Sequence, residues 1–206
     1  MTDQSDEESR NARHAEAMKA LKAERDALMA TKRDGEGLLL IHTGDGKGKS
    51  SSAFGVVARA LGWGYRVGVV QFIKGKWITG ERQFFARFPD QLVWRVMGEG
   101  FTWDTQDRAR DIAAAKAAWA TSLELLHDPT LHLVVLDELN IALRYDYLDV
   151  GEVVEGLKGR PPEKHVCVTG RDAKAELIAA ADMVTEMRLV KHPFEQGIKA
   201  QRGIDF

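Results

Sequence analysis

The sequence is poor in the features that stabilise secreted and membrane proteins. It has one cysteine, Cys167, so no disulfide can form within the chain, and no Cys/His cluster has zinc-ligand spacing. No uninterrupted apolar run approaches the roughly 20 residues of a membrane-spanning helix. Residues 1–10 are polar and acidic, unlike a secretory signal. We therefore expect a cytoplasmic protein without a membrane partner.

An excess of charge of either sign is also missing. The 29 Lys and Arg residues against 31 Asp and Glu residues give a formal net charge of −2. This balance provides no electrostatic basis for non-specific binding to DNA or RNA, so we expect no nucleic-acid partner. A chain of 206 residues that is 44% hydrophobic is long enough to bury a core without disulfides or metals.

The first 33 residues differ from the rest because they contain neither glycine nor proline and are rich in Ala, Glu, Lys and Arg. This composition predicts a helix over residues 6–30, with Met18, Leu21 and Leu28 on one stripe. So thin a stripe does not hold a helix by itself. We expect the helix to dock on the rest of the chain or on a partner subunit, or else to be a partly flexible arm. The predicted organisation is an arm at 1–33 and one domain at 34–206.

Beyond the breaker at 34–37, short apolar runs alternate with helical stretches. The strand candidates are 38–42, 67–72, 92–97, 131–137, 165–169 and 183–189. The helix candidates are 50–61, 81–88, 105–127, part of 139–157, and 173–181. Nearly continuous apolar strands separated by helices are typical of a parallel sheet that is covered on both faces. The sequence therefore predicts a three-layer α/β fold with a mostly parallel twisted sheet of about six strands.

A glycine-rich segment follows the first predicted strand. Its residues are Thr43, Gly44, Asp45, Gly46, Lys47, Gly48, Lys49, Ser50 and Ser51. Alternate glycines let successive backbone N–H groups face one anion, and a helix that starts near Ser50 adds the positive end of its dipole. Lys49 supplies a mobile positive charge, and the Ser50 hydroxyl suits Mg²⁺. The segment fits the phosphate-loop pattern G-x-x-x-x-G-K-[ST], except that Thr43 replaces the first glycine.

This segment predicts a polyphosphate site, and the alternative is a glycine-rich turn that is packed for structural reasons. The alternative leaves Lys47 and Lys49 beside a helix N-terminus without an anion, which is an unfavourable place for cations. Ser51 either serves the start of the helix or also touches phosphate.

Two acids, Asp137 and Glu138, close the fourth predicted strand. In phosphate-loop proteins, an acid at the end of an apolar strand lies near the magnesium ion. The two side chains point in opposite directions if the strand continues, so only one of them need face the nucleotide. The alternative is that an acid here caps the following helix.

Several segments in series resemble the ATP:corrinoid adenosyltransferases of the phosphate-loop type. They are TGDGKGKSS at 43–51, AFG at 53–55, GFTWDTQ at 100–106, LDELN at 136–140, TGR at 169–171, KHPF at 191–194 and GIKAQRGID at 197–205. The resemblance runs from about residue 37 to the C-terminus. It implies a RecA-like α/β fold, a homodimer, and transfer of the 5′-deoxyadenosyl group of MgATP to a reduced corrinoid with release of triphosphate.

The same resemblance assigns roles to individual residues. It implies that Lys49 and Glu138 are catalytic, that Ser50 and Glu138, or Asp137, hold Mg²⁺, and that the loop residues bind ATP. It also implies that Phe101 and Trp103 press on the lower face of the corrin and expel an axial ligand, which makes the cobalt easier to reduce. Without the resemblance, these two aromatic side chains would be interpreted as packing under their own loop.

Three further implications are weaker or indirect. Arg59 and Arg171 fall where the family has arginines that meet ribose or phosphate oxygens, although an arginine at a helix or strand end is usually only solvated. The electron donor implied by the family is a flavoprotein or free reduced flavin.

Two other functions use the same loop. One is a phosphoryl-transferring kinase or ATPase, and the other is a nucleotide-dependent binding module without chemistry. The segment from residue 98 to 106 separates the first of these from an adenosyltransferase, since a kinase has no reason to carry it.

Overall fold

The computed structural model describes residues 2–33, 35–73, 79–97 and 107–205. The chain divides into two compact units, residues 1–35 and residues 36–206. The first unit contains helix α1 (Thr2–Ala30), in which the predicted stripe of Met18, Leu21 and Leu28 is about half exposed. The helix predicted over 6–30 is therefore present within its own unit.

The second unit is built on a six-stranded sheet. Its strands are β1 (Leu39–Thr43), β2 (Val67–Gln71), β3 (Leu92–Val96), β4 (Leu133–Asp137), β5 (His165–Thr169) and β6 (Met183–Glu186). They lie in the order β3-β2-β4-β5-β1-β6, and every neighbouring pair is parallel. The predicted parallel α/β sheet is confirmed, and each strand candidate matches an observed strand within a few residues.

Helices connect these strands and cover the sheet. They are α2 (Lys49–Gly62), α3 (Gly80–Phe85), α4 (Arg108–His127), α5 (Leu139–Arg144), α6 (Val150–Lys158) and α7 (Ala175–Ala180), with a 3₁₀ turn at Pro193–Gln196. The candidate at 139–157 is two helices, because the chain turns at Asp146 (φ +53°) and restarts where Asp149 caps Glu152 N–H. The described residues include no helix that is long and apolar enough to cross a membrane.

Hydrophobic residues fill both faces of the sheet because its strands alternate between them. Val135 of β4 packs with Phe54 and Val57 of α2, whereas Val134 and Leu136 pack on the opposite side in the cluster that includes Trp119 of α4. All of these side chains except Phe54 and Trp119 are fully buried, and those two are only about 3% exposed. The predicted three-layer arrangement follows from this alternation.

The strand order places β5 between β1, which leads into the glycine-rich loop, and β4, which carries the acids. Because the sheet is parallel, the carboxyl ends of all three strands lie at one edge. Pairing of His42 with Thr169 and of Gln71 with Asp137 aligns the ends of β1, β5, β2 and β4. Ligands bind at this edge in open α/β sheets.

Candidate functional site

The glycine-rich loop leaves β1 and wraps against the segment that follows β6. Gly46 N–H donates to Met187 O at 2.7 Å, and Met187 N–H donates to Thr43 O at 2.8 Å. A Cβ on Gly44 would lie 2.4 Å from Met187 O, and one on Gly46 would lie 2.7 Å from Arg188 O. Two of the three loop glycines are therefore required by backbone packing, whatever the loop binds.

Helix α2 begins at the end of this loop. Gly48 stands at the N-cap with φ +106° and supplies no side-chain cap, so the first N–H groups of the helix depend on other acceptors. Lys49 follows, only 8% exposed, and its Nζ donates to Gly46 O at 2.6 Å. A cation and uncapped N–H groups at a helix N-terminus form a site that favours an anion.

Burial lowers the pKa of Lys49, because the charged ammonium is poorly solvated there. The carboxylate of Glu138 counteracts this shift, whereas the positive charge of Arg171 adds to it. The loop, the acid after β4 and the arginine after β5 thus act on one ammonium group. The structure brings these three predicted site residues to one place.

Two other loop side chains form ion pairs with distant segments. Lys47 Nζ lies 2.7 Å from Asp205 Oδ1, and this contact lowers the pKa of Asp205. Asp45 Oδ1 lies 3.9 Å from Arg171 Nε, with both side chains more than half exposed. The C-terminal segment therefore reaches the phosphate loop directly.

The two acids that close β4 occupy different environments. Asp137 is fully buried, and its carboxylate accepts hydrogen bonds from Gln71 Nε2 at 2.8 Å and from Thr169 Oγ1 at 2.9 Å. Glu138 is half-buried, has the left-handed conformation (φ +63°, ψ +21°), and stands at the N-cap of α5 without a side-chain capping bond. A non-glycine residue in this conformation costs roughly 1–2 kcal/mol, which surrounding contacts must offset. Of these two acids, Glu138 is the one that counteracts the lowering of the Lys49 pKa.

The remaining predicted residues are more scattered. Thr43 uses its hydroxyl to accept from Ala173 N–H at 3.1 Å, so this side chain is engaged with the loop after β5. Ser50 is half-buried and Ser51 is exposed in the first turn of α2. Arg59 is exposed in the last turn of α2, and ten residues of helix rise separate it from Lys49 by about 15 Å. Phe101 and Trp103 lie outside the described residues.

No role was predicted for Gln71 or for Thr169, the two residues that bond to Asp137, although Thr169 lies in the TGR segment. Both end an apolar strand, as Asp137 does, and the same signal would have identified them. Sequence reasoning also missed Met187 and Asp205, which hold the loop. No local pattern marks Met187, and Asp205 lies in the family-like segment 197–205 without a predicted partner. The contacts of both residues join segments more than 140 residues apart in sequence.

The parallel sheet, the glycine-rich loop between β1 and α2, and the acids that close β4 define an α/β protein of the phosphate-loop type. Residues 35–206 match the family described as ATP:corrinoid adenosyltransferase BtuR/CobO/CobP. The chain belongs to this family.

Curated relatives agree with this assignment over nearly the whole chain. A corrinoid adenosyltransferase of Pseudomonas aeruginosa is 60% identical, with 94% of this chain and 96% of the relative covered. One from Sinorhizobium is 53% identical, with 97% and 94% covered. The corrinoid adenosyltransferase CobA of Salmonella typhimurium is 45% identical, with 94% and 98% covered.

A solved structure supports the fold. The flagellar accessory protein FlaH from Methanocaldococcus jannaschii superimposes with a TM-score of 0.50 at 11% identity, over 74% of this chain and 71% of that chain. At this identity the likeness extends to the fold alone.

Proposed function

We propose that this protein transfers the 5′-deoxyadenosyl group of ATP to the cobalt of a reduced corrinoid and releases triphosphate. Family membership supports the reaction. The observation that carries the proposal is the buried Lys49 side chain at the N-terminus of α2, where Gly48 supplies no side-chain cap and Glu138 and Arg171 act on the ammonium electrostatically. This arrangement suits the triphosphate of ATP, and the family match does not favour the phosphoryl-transfer alternative.

The reaction balances without a general base. The electron pair of Co(I) forms a bond to C5′ of the ribose, the C5′–O bond breaks, and triphosphate leaves with that bond's electrons, so cobalt becomes Co(III). Co(I) is already a strong nucleophile. The protein must then place the two reactants and stabilise the negative charge that builds on the leaving triphosphate. Lys49, Lys47 and the loop N–H groups perform the second task.

Mg²⁺ fits the residues at this site. The ion prefers one or two carboxylates together with water and phosphate oxygens, and the Ser50 hydroxyl and the Glu138 carboxylate provide such ligands. Within the described ranges, no three His, Cys, Asp or Glu residues are grouped to hold a metal by themselves, so phosphate oxygens would complete the shell. Bound Mg²⁺ would neutralise charge on the triphosphate. The two hydrogen bonds at Asp137 favour Glu138 as the ligand.

The reacting corrinoid is assigned to the segment that follows β3. We propose that Phe101 and Trp103 displace the lower axial ligand of a Co(II) corrinoid, which rests on the family resemblance of residues 98–106. The electron would come from a flavoprotein or reduced flavin.

The strand β6 at the edge of the sheet supports the proposal of a homodimer. Met183 and Val184 of this strand are exposed, and Val190, which follows it, is 93% exposed. Light scattering would then give twice 22.9 kDa.

Product analysis tests the reaction. Anaerobic incubation with MgATP, a strong reductant and cobalamin should give a light-sensitive organocobalt product and triphosphate. ADP with phosphate would instead support a kinase or ATPase, and bound nucleotide without either product would support a binding module.

Lys49→Ala should reduce transfer by about 10²-fold or more, even when Co(I) is supplied chemically, because charge stabilisation on the leaving group is lost. The comparison is Lys158→Ala, which removes an exposed ammonium on α6 and should leave the rate unchanged. Rates of organocobalt formation measure both, and a fully active Lys49→Ala enzyme would contradict the assigned role.

Trp103→Ala should slow the reaction most when Co(II) is reduced on the enzyme and least with preformed Co(I), since a displaced axial ligand matters only for reduction. Trp63→Ala, which removes a side chain that is 78% exposed, is the matched control. Equal losses in both assays would refute the proposed role of Trp103.

A further inference from the structure

Three buried polar residues lie side by side at the carboxyl edge of the sheet. Gln71 of β2 pairs in register with Asp137 of β4, and the pairing of Leu136 with Val168 places Thr169 of β5 next in the same row. Gln71 is 1% exposed, and Asp137 and Thr169 are fully buried. Residues in one row of a parallel sheet point to the same face. These three face the layer that contains α2, since Val69 and Val135, two residues back along their strands, pack with Phe54.

These residues form a continuous chain of hydrogen bonds. Trp94 Nε1 donates to Gln71 Oε1 at 3.0 Å, and Gln71 Nε2 donates to Asp137 Oδ2 at 2.8 Å. Thr169 Oγ1 donates to Asp137 Oδ1 at 2.9 Å. The indole N–H can only donate, so it fixes the carboxamide oxygen toward Trp94 and the amide N–H toward the carboxylate. The direction of every bond in the chain is thereby set.

The chain ends at the backbone of Glu138. The Thr169 hydroxyl donates its one hydrogen bond to Asp137. A lone pair of the same oxygen then accepts a hydrogen bond from Glu138 N–H at 2.9 Å. This bond holds the peptide group that enters the left-handed Glu138 (φ +63°). The conformation turns the chain from β4 into α5, and from this position the Glu138 carboxylate counteracts the lowering of the Lys49 pKa.

We propose that Trp94, Gln71 and Thr169 are positioning residues for the metal of bound MgATP. Trp94 and Gln71 act through Asp137, which orients Thr169, and Thr169 holds the Glu138 backbone so that the Glu138 carboxylate is placed for the metal. Asp137 is then a buried acceptor that orients Thr169, rather than a metal ligand. This inference rests on the proposed function, because it assumes that Glu138 serves MgATP. A chain that only joins neighbouring strands would stabilise the fold without affecting the metal.

The test measures how much Mg²⁺ strengthens ATP binding, as the ratio of the Kd for ATP in EDTA to the Kd in excess Mg²⁺, by calorimetry on the full chain. Thr169→Val keeps the side-chain shape but removes both the donor to Asp137 and the acceptor for Glu138. We expect it to reduce this ratio by about 10–100-fold, the usual effect of losing a residue that orients a metal ligand. Thr169→Ser restores the hydroxyl and should return the ratio to within about threefold of the wild type.

Two milder variants keep the inference testable if Thr169→Val fails to fold. Trp94→Phe removes the first donor but retains an aromatic ring against Phe54 and Phe85, and Gln71→Met removes the donor to Asp137 at similar volume. Both should reduce the ratio, Gln71→Met more than Trp94→Phe, because it acts directly on Asp137. An unchanged ratio in the folded variants, or an equal loss of ATP affinity with and without Mg²⁺, would overturn the inference.

Glu138→Gln separates this inference from the proposed function. If Glu138→Gln leaves the ratio unchanged, the assignment of Glu138 to the metal fails, and the positioning role fails with it. If Glu138→Gln removes the Mg²⁺ effect while the folded Thr169, Gln71 and Trp94 variants retain it, only the positioning role is wrong.

Discussion

Single residues of the phosphate loop are constrained by contacts as well as by a ligand. Gly44 has φ +94°, and its missing Cβ leaves room for the backbone of Met187. Gly46 has a similar neighbour in Arg188, whereas a Cβ on Gly48 would meet only the Met187 sulfur at 3.5 Å. The glycine pattern that predicts a phosphate site thus also describes a loop that packs against the backbone of the segment after β6.

Gly46→Ala should weaken ATP binding by about tenfold or more, which corresponds to about 1.4 kcal/mol. A Cβ at this position would lie 2.7 Å from a backbone oxygen, so the loop must move away from the segment after β6. Gly62→Ala, at the far end of α2 with nothing within 4 Å of its Cβ position, is the control and should bind ATP normally. Titration calorimetry measures both, and wild-type affinity in Gly46→Ala would show that the loop tolerates the shift.

At the scale of secondary-structure elements, the close packing of α6 on α4 depends on Gly156, which no sequence motif identifies. Gly156 of α6 faces α4, where a Cβ would lie 2.6 Å from Trp119 Cζ2 and 3.0 Å from Leu123 Cδ2. Trp119 belongs to the buried cluster on that face of the sheet.

Gly156→Ala should lower the free energy of unfolding by about 1–2 kcal/mol, because overpacking against Trp119 outweighs the better helix propensity of alanine. Gly55→Ala makes the same change in α2 where nothing lies within 4 Å, and should instead raise the stability by about 0.5–1 kcal/mol. Urea unfolding measures both values. Stabilisation by Gly156→Ala would mean that α6 can move away from α4 at little cost.

At the scale of the whole molecule, one buried and two half-buried histidines couple stability to pH. Burial lowers the pKa of His42, His132 and His165, and nearby Lys164 adds to the shift at His132. As the pH falls, such a histidine becomes protonated in the unfolded state at a pH near 6.5, and in the folded state only at a lower pH. The stability that these histidines provide is complete above that pH and is lost as the pH falls.

The free energy of unfolding should therefore decrease as the pH is lowered from about 7.5 to about 5. Asp128 and Asp205 do not contribute in this pH range, because their pKa values are lowered. His132→Phe, which can retain the stacking on Tyr65 at 3.9 Å, should make this decrease smaller. His14→Phe changes an exposed residue of α1 and should not. Urea unfolding at several pH values gives the slopes, and identical slopes in all three proteins would exclude His132 as a source.

Local patterns determined the class of fold and the position of the loop. Continuous apolar runs of about five residues that alternate with helical stretches are typical of strands covered on both faces, so the parallel α/β sheet was predictable from them. The glycines, Lys49 and the acids after β4 lie close in sequence to the elements that present them. The family followed from motifs in series, and the match over residues 35–206 confirms it.

Tertiary structure alone decided which polar groups meet. Strand order is not encoded in any one strand, yet the insertion of β5 between β1 and β4 is what places Thr169 beside Asp137. Likewise, only the folded chain brings Asp205 to Lys47 across 158 residues. The sequence determines the hydrophobic period of each helix and strand, because that period depends on residues that are neighbours along the chain. Contacts between these elements depend on strand register and strand order, which the packing of the whole core selects.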